Sequence, residues 1–290
     1  MTNKVYPSFT QVQMAASKLY RLRSKFDGLR IIMRAWICTE ESQAVVIIVH
    51  GIGEHSKVYK PWAKRFNNNG ISVVSFDQRG HGLSGGKRGH TPIYRAFLSD
   101  LALVYRTTKT LFPQKPIFVY GHSMGGNIAL NFLLKKRRYV VGGIASSPWL
   151  TLAFEPPFYK VLLGRIMGLF WPDYSDSNKT SLESEVVVDK EEDPLLHDTI
   201  SITTYLECKK AGKRVLNRSD NLLLPLLLMH GTQDKRTSWI STAKLGSQLK
   251  NEQSKFISFD NAEHELHEWE NQDEVFNTVM AWMREVLNNL

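Results

Sequence analysis

The sequence predicts an α/β protein in which a mostly parallel central sheet is flanked by helices. Continuous apolar runs at Ala44–Val49, Ile71–Phe76 and Pro116–Tyr120 are typical of strands buried on both faces of such a sheet. Segments with the apolar spacing of helices alternate with these runs, as at Ala96–Leu111. Because strands alternate with helices and 290 residues suffice for one large core, we expect one α/β domain with an insertion.

The first predicted elements form an antiparallel hairpin ahead of the parallel strands. Lys18–Arg23 and Arg30–Cys38 alternate apolar and polar residues, and a turn at Phe26–Gly28 separates them. A helix over Tyr59–Asn68 then joins the first two apolar runs, because its apolar residues recur at helical spacing.

The same alternation continues in the second half of the chain. We expect strands at Tyr139–Ala145, Leu222–His230 and Ser254–Phe259, and helices at Ser238–Lys250 and Asp273–Leu287. These elements would extend the sheet that the first half begins.

One stretch interrupts the alternation, because no strand of a parallel sheet is evident in it. We therefore predict that residues 1–148 form the first part of a core, residues 149–216 an inserted helical cap and residues 217–290 the second part of the core. The cap would lie over the carboxyl edge of the strands, where ligands of α/β proteins bind.

Two helical segments are predicted within the cap. Phe158–Trp171 is apolar on nearly every face and contains two charged residues, Lys160 and Arg165. A helix of this kind either packs in a core or faces lipid, and the sequence leaves both alternatives open. The second segment runs from about Pro194 to Lys213.

The composition is that of an ordinary globular protein, with 42% hydrophobic and 22% charged residues. The first ten residues lack the apolar core and the cleavage pattern of a secretory signal, and we identify no transmembrane helix. Two cysteines, Cys38 and Cys208, do not make a disulfide framework. A reducing cytoplasm is the expected location.

Charge is distributed unevenly along the chain. Residues 1–148 contain 22 Lys and Arg against 6 Asp and Glu, a balance of +16, whereas residues 149–290 contain 15 against 22, a balance of −7. One interpretation is a solvated surface whose halves attract each other, and the other is a basic face that approaches an anionic membrane. No nucleic-acid-binding motif is present, so nucleic acid is not an expected partner.

A strand-to-helix turn carries the candidate nucleophile, Ser123. The segment Gly121-His122-Ser123-Met124-Gly125 follows a predicted strand and precedes an apolar helix, which is the context of a nucleophile elbow. The tight turn strains the serine backbone, and Gly121 and Gly125 leave out the side chains that would collide there. His122 is expected to be a structural or pocket-wall residue.

A base and an acid follow at the ends of later strands. Asp234 follows the strand that ends at His230, and His264 follows the strand that ends at Phe259. The order Ser123, Asp234, His264 is the chain order of an α/β-hydrolase triad. In such a triad the histidine accepts the serine proton and the aspartate holds the histidine tautomer.

The sequence also offers two rival assignments. His267 lies three residues after His264 and is an alternative base, and Asp260 lies nearer to His264 in the sequence than Asp234 does. The position of Asp260 directly at a strand end suits a turn or a cap, so we favour Asp234.

The oxyanion hole of such a site needs two backbone N–H groups. Met124, directly after the candidate nucleophile, is expected to supply one, and Ile52, in the loop after the first parallel strand, the other. We expect packing or turn hydrogen bonds, with no part in proton transfer or substrate contact, for a further set of residues: His50, Glu54, His55, Asp77, Arg79 and His81.

No cofactor or metal is expected. The nine histidines contain no H-E-x-x-H pattern, and no G-x-G-x-x-G follows the first parallel strand.

Five motifs together resemble the monoacylglycerol lipase and lysophospholipase group of the α/β-hydrolases. They are His50–His55, Phe76–Ser84, Gly121–Gly126, His230–Asp234 and His264–His267, in the order of that group. The combination is specific to the group, although none of the motifs is specific alone.

The resemblance implies an α/β-hydrolase fold, a triad of Ser123, Asp234 and His264, oxyanion donors at Ile52 and Met124, and a mobile cap that faces lipid. Ile52 stands where the group more often has a small residue, and the cap matches the group only loosely.

The sequence leaves three functions open. The favoured function is a cofactor-free serine esterase that cleaves a monoacylglycerol or a lysophospholipid. The second is an acyltransferase, in which an alcohol replaces water at the same acyl-enzyme. The third is a ligand-binding protein without catalysis, since fold alone does not fix function.

Overall fold

A nine-stranded sheet forms the centre of the described molecule. The structure is a computed structural model that describes residues 10–14, 17–38, 41–136, 140–159, 161–163, 166, 171, 173–177 and 193–290. The strands in chain order are β1 Thr10–Met14, β2 Ser17–Arg23, β3 Arg30–Trp36, β4 Ala44–Val49, β5 Ile71–Asp77, β6 Ile117–His122, β7 Gly142–Ser146, β8 Ser175–Ser177, β9 Thr199–Ser201, β10 Leu226–Gly231 and β11 Lys255–Phe259.

The predicted parallel sheet is confirmed. The strand order is β1-β2-β3-β5-β4-β6-β7-β10-β11, and all neighbours from β5 to β11 are parallel. β1, β2 and β3 add to one edge in antiparallel fashion, which includes the predicted hairpin. The helices are α1 Lys60–Asn68, α2 Tyr94–Leu111, α3 Met124–Lys136, α4 Ile202–Leu216, α5 Trp239–Gly246 and α6 Gln272–Leu287.

Helices cover both faces of the sheet, so the central strands are buried on each side. In β4, Val45, Ile47 and Val49 belong to one apolar cluster, together with residues of α2, α3 and α4. Ala44, Val46 and Ile48 belong to the other cluster, together with residues of α1 and α6. Because alternate residues of a strand face opposite sides of the sheet, burial of both sides explains the continuous apolar run.

The elements between β7 and β10 differ from the sequence expectation. The helix expected from about Pro194 begins instead at Ile202, where the hydroxyl of Ser201 accepts the N–H of Thr204 as an N-terminal cap. The residues before it form β9, which pairs with β8 in a small antiparallel sheet. β1 was not predicted either.

The apolar segment 158–171 is described in part. Its helical residues are 158–159, 161–163 and 166, and residues 160, 164–165 and 167–170 lie outside the described ranges. Phe158 is 77% exposed, Leu163 57% and Ile166 50%. These three side chains therefore face outward and do not pack in a core, whereas Val161 is half-buried.

Candidate active site

Ser123 occupies a strained turn between β6 and α3. Its φ angle is 53°, in the left-handed region that non-glycine residues rarely adopt. A Cβ at Gly121 would lie 2.4 Å from the carbonyl oxygen of Gly125, and a Cβ at Gly125 would lie 2.0 Å from the carbonyl oxygen of Val49. Both positions therefore exclude every residue except glycine, and the turn brings the serine to the carboxyl end of the sheet.

Three side chains form a continuous chain of hydrogen bonds at this edge. The Oγ of Ser123 lies 2.9 Å from Nε2 of His264. On the other side of the ring, Nδ1 of His264 lies 2.7 Å from Oδ2 of Asp234. All three side chains are buried. The arrangement can move a proton from the serine to the imidazole and stabilise the cation that results.

Asp234 is held by further hydrogen bonds that the sequence analysis did not identify. Its Oδ2 also lies 2.9 Å from Nε2 of His230 and accepts the hydroxyl of Thr237 at 2.8 Å. Its Oδ1 accepts the backbone N–H groups of Arg236 and Thr237 at 2.7 and 2.9 Å. The carboxylate therefore has a fixed orientation toward His264. The sequence places His230 four residues before Asp234, which was the only sign that the two interact. Nothing in the local sequence showed that the His230 ring points toward the Asp234 carboxylate.

The electrostatics of Asp234 and His264 favour their ionised forms. Burial opposes the charge of Asp234, but the hydrogen bonds and charges of His264 and His230 lower its pKa well below the usual range. Burial also opposes the charged form of His264, but the Asp234 carboxylate raises the pKa of that imidazole above its usual value. The pair thus stabilises an imidazolium at the position next to Ser123.

The rival base His267 and the rival acid Asp260 take no part in this chain of hydrogen bonds. The hydrogen bond to Ser123 comes from His264, whereas His267 stacks against Tyr59 with ring centroids 4.9 Å apart. Burial and the neighbouring His264 lower the pKa of His267 to about 3. Asp260 is exposed, and the carboxylate on Nδ1 of His264 is that of Asp234.

His122 forms a wall of the site. Its ring lies 4.8 Å from the rings of both His264 and His267, and its Nδ1 is buried without a hydrogen-bond partner among the described residues. Burial, with His267 and His264 nearby, lowers the pKa of His122 well below its usual value. A neutral imidazole therefore packs beside the catalytic candidates.

Two backbone segments meet at Ser123 where an oxyanion would form. Met124 is the first residue of α3, and the first N–H groups of a helix have no partner within it. The loop after β4 carries Ile52, and a Cβ on the neighbouring Gly51 would lie 3.3 Å from Cβ of Ser123. The residues expected to supply the two donors thus lie next to Ser123 in sequence, in the case of Met124, and next to a residue that contacts Ser123, in the case of Ile52.

The turn after β5 is tied together by its polar side chains. Asp77 accepts the N–H groups of Ser56 and Leu83, both at 2.8 Å. The guanidinium of Arg79 pairs with Asp100 at 2.8 Å and with Asp27 at 2.9 Å. These contacts fix the loop against the hairpin turn and α2, and none of them is made to a triad candidate.

Among the described residues, one set of three could offer ligand atoms to a metal. His122, His264 and Glu265 place these atoms within 4.8 Å of one another. Both ring nitrogens of His264 are already hydrogen-bonded, and the carboxylate of Glu265 is ion-paired with Arg236. As placed, the groups suit proton transfer better than metal binding.

Comparison with known proteins gives one family match over most of the chain. A model of the family described as serine aminopeptidase, S33 (Hydrolase_4) matches residues 40–272. A Dictyostelium discoideum protein, described as an uncharacterized abhydrolase domain-containing protein, is 32% identical over 270 residues. The alignment covers 91% of this chain and 28% of that relative, so the chain corresponds to about a quarter of the longer protein.

Two further relatives match over nearly their whole length. The monoacylglycerol lipase of Mycolicibacterium smegmatis is 26% identical over 261 residues, which cover 88% of this chain and 93% of that protein. The crystal structure of Paleococcus ferrophilus monoacylglycerol lipase matches with a TM-score of 0.76 and 28% identity, covering 90% of this chain and 99% of that one. The predicted fold class is confirmed by this likeness.

Proposed function

Because this chain belongs to the serine aminopeptidase S33 family, we propose that it cleaves a glycerolipid monoester through an acyl-enzyme formed on Ser123. The enzyme class is that of a carboxylic ester hydrolase similar to monoglyceride lipases, as the family and the lipase relatives indicate. The observation that carries the proposal is the chain of hydrogen bonds from Ser123 through His264 to Asp234.

The proposed reaction has two halves. His264 accepts the proton of Ser123 as the Oγ attacks the ester carbonyl, and it then protonates the departing alcohol. Water, deprotonated by the same imidazole, attacks the acyl-enzyme and releases the fatty acid. Asp234 holds the imidazole in the required tautomer and balances its charge.

The N–H groups of Ile52 and Met124 are the proposed oxyanion donors. Their closeness to Ser123 suits an oxygen that becomes negative as the carbonyl is attacked. One such donor contributes a factor of about 10² to 10³ in kcat in other enzymes of this mechanism.

The outward-facing apolar residues of segment 158–171 favour a substrate with a long acyl chain. Phe158, Leu163 and Ile166 are each at least half exposed, and we propose that residues 149–216 form a cap over the site. Each buried methylene contributes about 0.8 kcal/mol, so an acyl chain along these residues would bind several kcal/mol more tightly than an acetyl group. Monoacylglycerols and lysophospholipids both offer such a chain.

The same residues and the basic first half of the chain suit contact with a membrane surface. None of the helices in the described ranges combines the length and apolarity needed to cross a membrane. Some of the positive charge pairs across the two halves, as in Arg65 with Asp273 at 2.7 Å and Lys87 with Asp173 at 3.0 Å. Binding to anionic vesicles that weakens with salt would support the contact, and equal binding to neutral vesicles would contradict its electrostatic part.

A hydrolysis screen tests the proposed substrate class. The panel contains monoacylglycerols and lysophospholipids of several chain lengths, an acetate ester, and an aminoacyl anilide to represent the peptidase description of the family. We expect the highest kcat/KM for a long-chain monoester. A clear preference for the aminoacyl anilide would contradict the proposal.

Two controls separate the alternative functions. Adding a competing alcohol such as glycerol distinguishes water from alcohol as the acceptor, because an acyltransferase would release a new ester in place of fatty acid. Labelling with a serine-directed phosphonate distinguishes an enzyme from a non-catalytic binding protein, which would leave Ser123 unmodified.

A further inference from the structure

The loop Gly51–Gly53 carries the proposed oxyanion donor Ile52 and rests directly on the nucleophile. A Cβ on Gly51 would come within 3.3 Å of both Cβ of Ser123 and Cδ2 of His122. Backbone N–H groups stabilise an oxyanion only when they are held at the right distance and direction. The contacts that fix this loop therefore bear on catalysis.

The carboxyl group of Glu54 holds the N–H at the start of the loop. Its Oε2 accepts the N–H of Gly51 at 2.8 Å and the hydroxyl of Tyr59 at 2.9 Å. Its Oε1 lies 3.8 Å from Nε2 of His122. One carboxyl group thus connects three places: the loop at Gly51, Tyr59 just before α1, and His122 in the wall of the site.

The far end of the loop is fixed by the chain that precedes α4. The carbonyl oxygen of Gly53 accepts the backbone N–H of His197 at 3.0 Å. Gly53 has a φ angle of 80°, and a Cβ there would lie 1.9 Å from the carbonyl oxygen of His197. Ile52 therefore lies between two anchored glycines. At Gly51 two side chains act as anchors: Glu54 accepts the N–H, and Nδ1 of His50 lies 2.7 Å from the carbonyl oxygen.

We propose that Glu54 is a positioning residue, whose bond to the Gly51 N–H aims the next N–H, that of Ile52, at the developing oxyanion. The inference rests on the oxyanion role proposed for Ile52. Without the carboxyl group, the peptide between His50 and Gly51 loses its acceptor and can tilt. This tilt shifts the Ile52 N–H, although His50 still holds the Gly51 carbonyl oxygen of the next peptide. The substrate's ground state does not need that bond, so the loss falls on kcat.

The environment of Glu54 is consistent with a functional placement. The side chain is 17% exposed. Burial raises the pKa of Glu54 to about 7, an effect opposed by the Gly51 and Tyr59 donors and reinforced by the carboxylates of Glu265 and Glu268. An ionisable group kept in such surroundings is more typical of sites than of cores.

Three substitutions of Glu54 and one matched control test the proposal. Glu54→Leu removes the acceptor, Glu54→Asp keeps a carboxyl group but is one methylene too short to reach Gly51, and Glu54→Gln keeps an oxygen at the same reach. Tyr59→Phe removes the other bond to the carboxyl group and leaves the Gly51 bond intact. Each variant is assayed on an acetate ester, with its folding checked by thermal melting.

We expect Glu54→Leu and Glu54→Asp to lower kcat by about 10 to 100-fold with KM changed less than about threefold, a pattern typical of a lost transition-state interaction. Glu54→Gln and Tyr59→Phe should stay within about fivefold of the wild-type kcat. An alkyl trifluoromethyl ketone, which forms an oxyanion on the serine, should bind the two damaged variants more weakly by a similar factor.

Full kcat in a folded Glu54→Asp variant would overturn the proposal, even if Glu54→Leu did not fold. Equal losses in Tyr59→Phe and Glu54→Leu would also overturn it, because packing would then explain both. Ser123→Ala distinguishes failure of the Glu54 positioning role from failure of the proposed hydrolase function. If that variant is inactive and the Glu54 variants keep their kcat, only the positioning role fails, whereas an active Ser123→Ala variant would remove the proposed function itself.

Discussion

The Nε2 atom of His230 lies 2.9 Å from Oδ2 of Asp234, the same oxygen that lies 2.7 Å from Nδ1 of His264. Two imidazoles therefore converge on one carboxylate oxygen, one from the strand β10 and one from the loop after β11. The Nδ1 atom of His230 is itself held by the hydroxyl of Thr242 at 2.8 Å. The proposed acid of the triad is thus oriented from behind by a residue that does not touch Ser123.

His230→Ala is the first predicted loss of activity. A hydrogen bond to a charged group contributes about 1.5 to 3 kcal/mol, so removing this one should lower kcat by about 10 to 100-fold while KM stays near its original value. Steady-state kinetics on an acetate ester measure the change. Thr242→Val is the matched control, because it leaves the bond from His230 to Asp234 in place. Unchanged kcat in a folded His230→Ala variant would contradict the orienting role.

The choice between the two aspartates gives a second prediction. Asp234→Asn should lower kcat by about 10⁴, because the amide favours the wrong tautomer of the histidine. Asp260→Asn should leave kcat nearly unchanged, since Asp260 is exposed. The same esterase assay on both variants measures the contrast. A severe loss in Asp260→Asn with a mild one in Asp234→Asn would reverse our assignment.

The pH dependence of activity follows from His264. In the proposed mechanism the working base is the neutral imidazole. The Asp234 carboxylate outweighs burial and raises the pKa of His264 above 6.5. The kcat/KM for an acetate ester should therefore rise with pH through a midpoint above 6.5 and then level off. A profile that is flat from acid to neutral pH would contradict the role of His264. Burial raises the pKa of Glu54 to about 7, so Glu54 could titrate in the same pH range. The profile is therefore also recorded for Glu54→Gln, and its midpoint should stay that of His264.

The free energy of unfolding should depend on pH, and the direction of each pKa shift determines whether stability rises or falls. His264, with its pKa raised in the folded state, contributes stability that is present below pH 6.5 and is lost as the pH rises through the raised value. Glu54 has the same sign, because an acid with a raised pKa favours the folded state in its protonated form. The melting temperature of Glu54→Gln should therefore fall less steeply than that of the wild type between about pH 5 and 8.

The exposed apolar residues of segment 158–171 give a prediction that separates binding from chemistry. Leu163→Glu with Ile166→Glu should lower kcat/KM for a long-chain monoacylglycerol more than about tenfold, since several methylenes at about 0.8 kcal/mol each lose their apolar contact. Activity on an acetate ester should change little. The melting temperature should stay constant, because both side chains are at least half exposed.

A matched control for this double variant is Leu223→Glu. Leu223 is 46% exposed and lies at the amino end of β10, away from the triad. The Leu223→Glu variant should leave kcat/KM unchanged for both the long-chain monoacylglycerol and the acetate ester. Equal losses of both activities in the double variant, together with a lower melting temperature, would indicate that the segment has a structural role and provides no path for the acyl chain.

The sheet could be predicted from the sequence because its signals are local. The run at Ala44–Val49 is apolar on both faces, and the structure buries both faces of β4. The elbow was predictable for the same reason. Gly121 and Gly125 stand where neighbouring backbone comes so close that a Cβ would not fit. The triad residues lie at strand ends, and parallel strands bring those ends to one edge.

The remaining features depend on contacts between distant residues, which the sequence does not display. The helix expected from about Pro194 begins at Ile202, because the preceding residues extend against the core, where His197 donates to Gly53. Glu54 was expected only to pack in its loop, since its reach back to Gly51 is visible only once the loop is folded. The role of His230 was missed because its partner Asp234 is placed by the turn between them.

The most direct test of the account is Ser123→Ala, assayed on a long-chain monoacylglycerol and on an acetate ester, with phosphonate labelling measured in parallel. The φ angle of 53° is no harder for alanine than for serine, so the fold should be kept. We predict a fall in kcat of about 10⁴ to 10⁶ on both esters and the loss of all labelling. A folded Ser123→Ala variant that still hydrolyses both esters at near wild-type rates would contradict the central claim that this serine is the nucleophile.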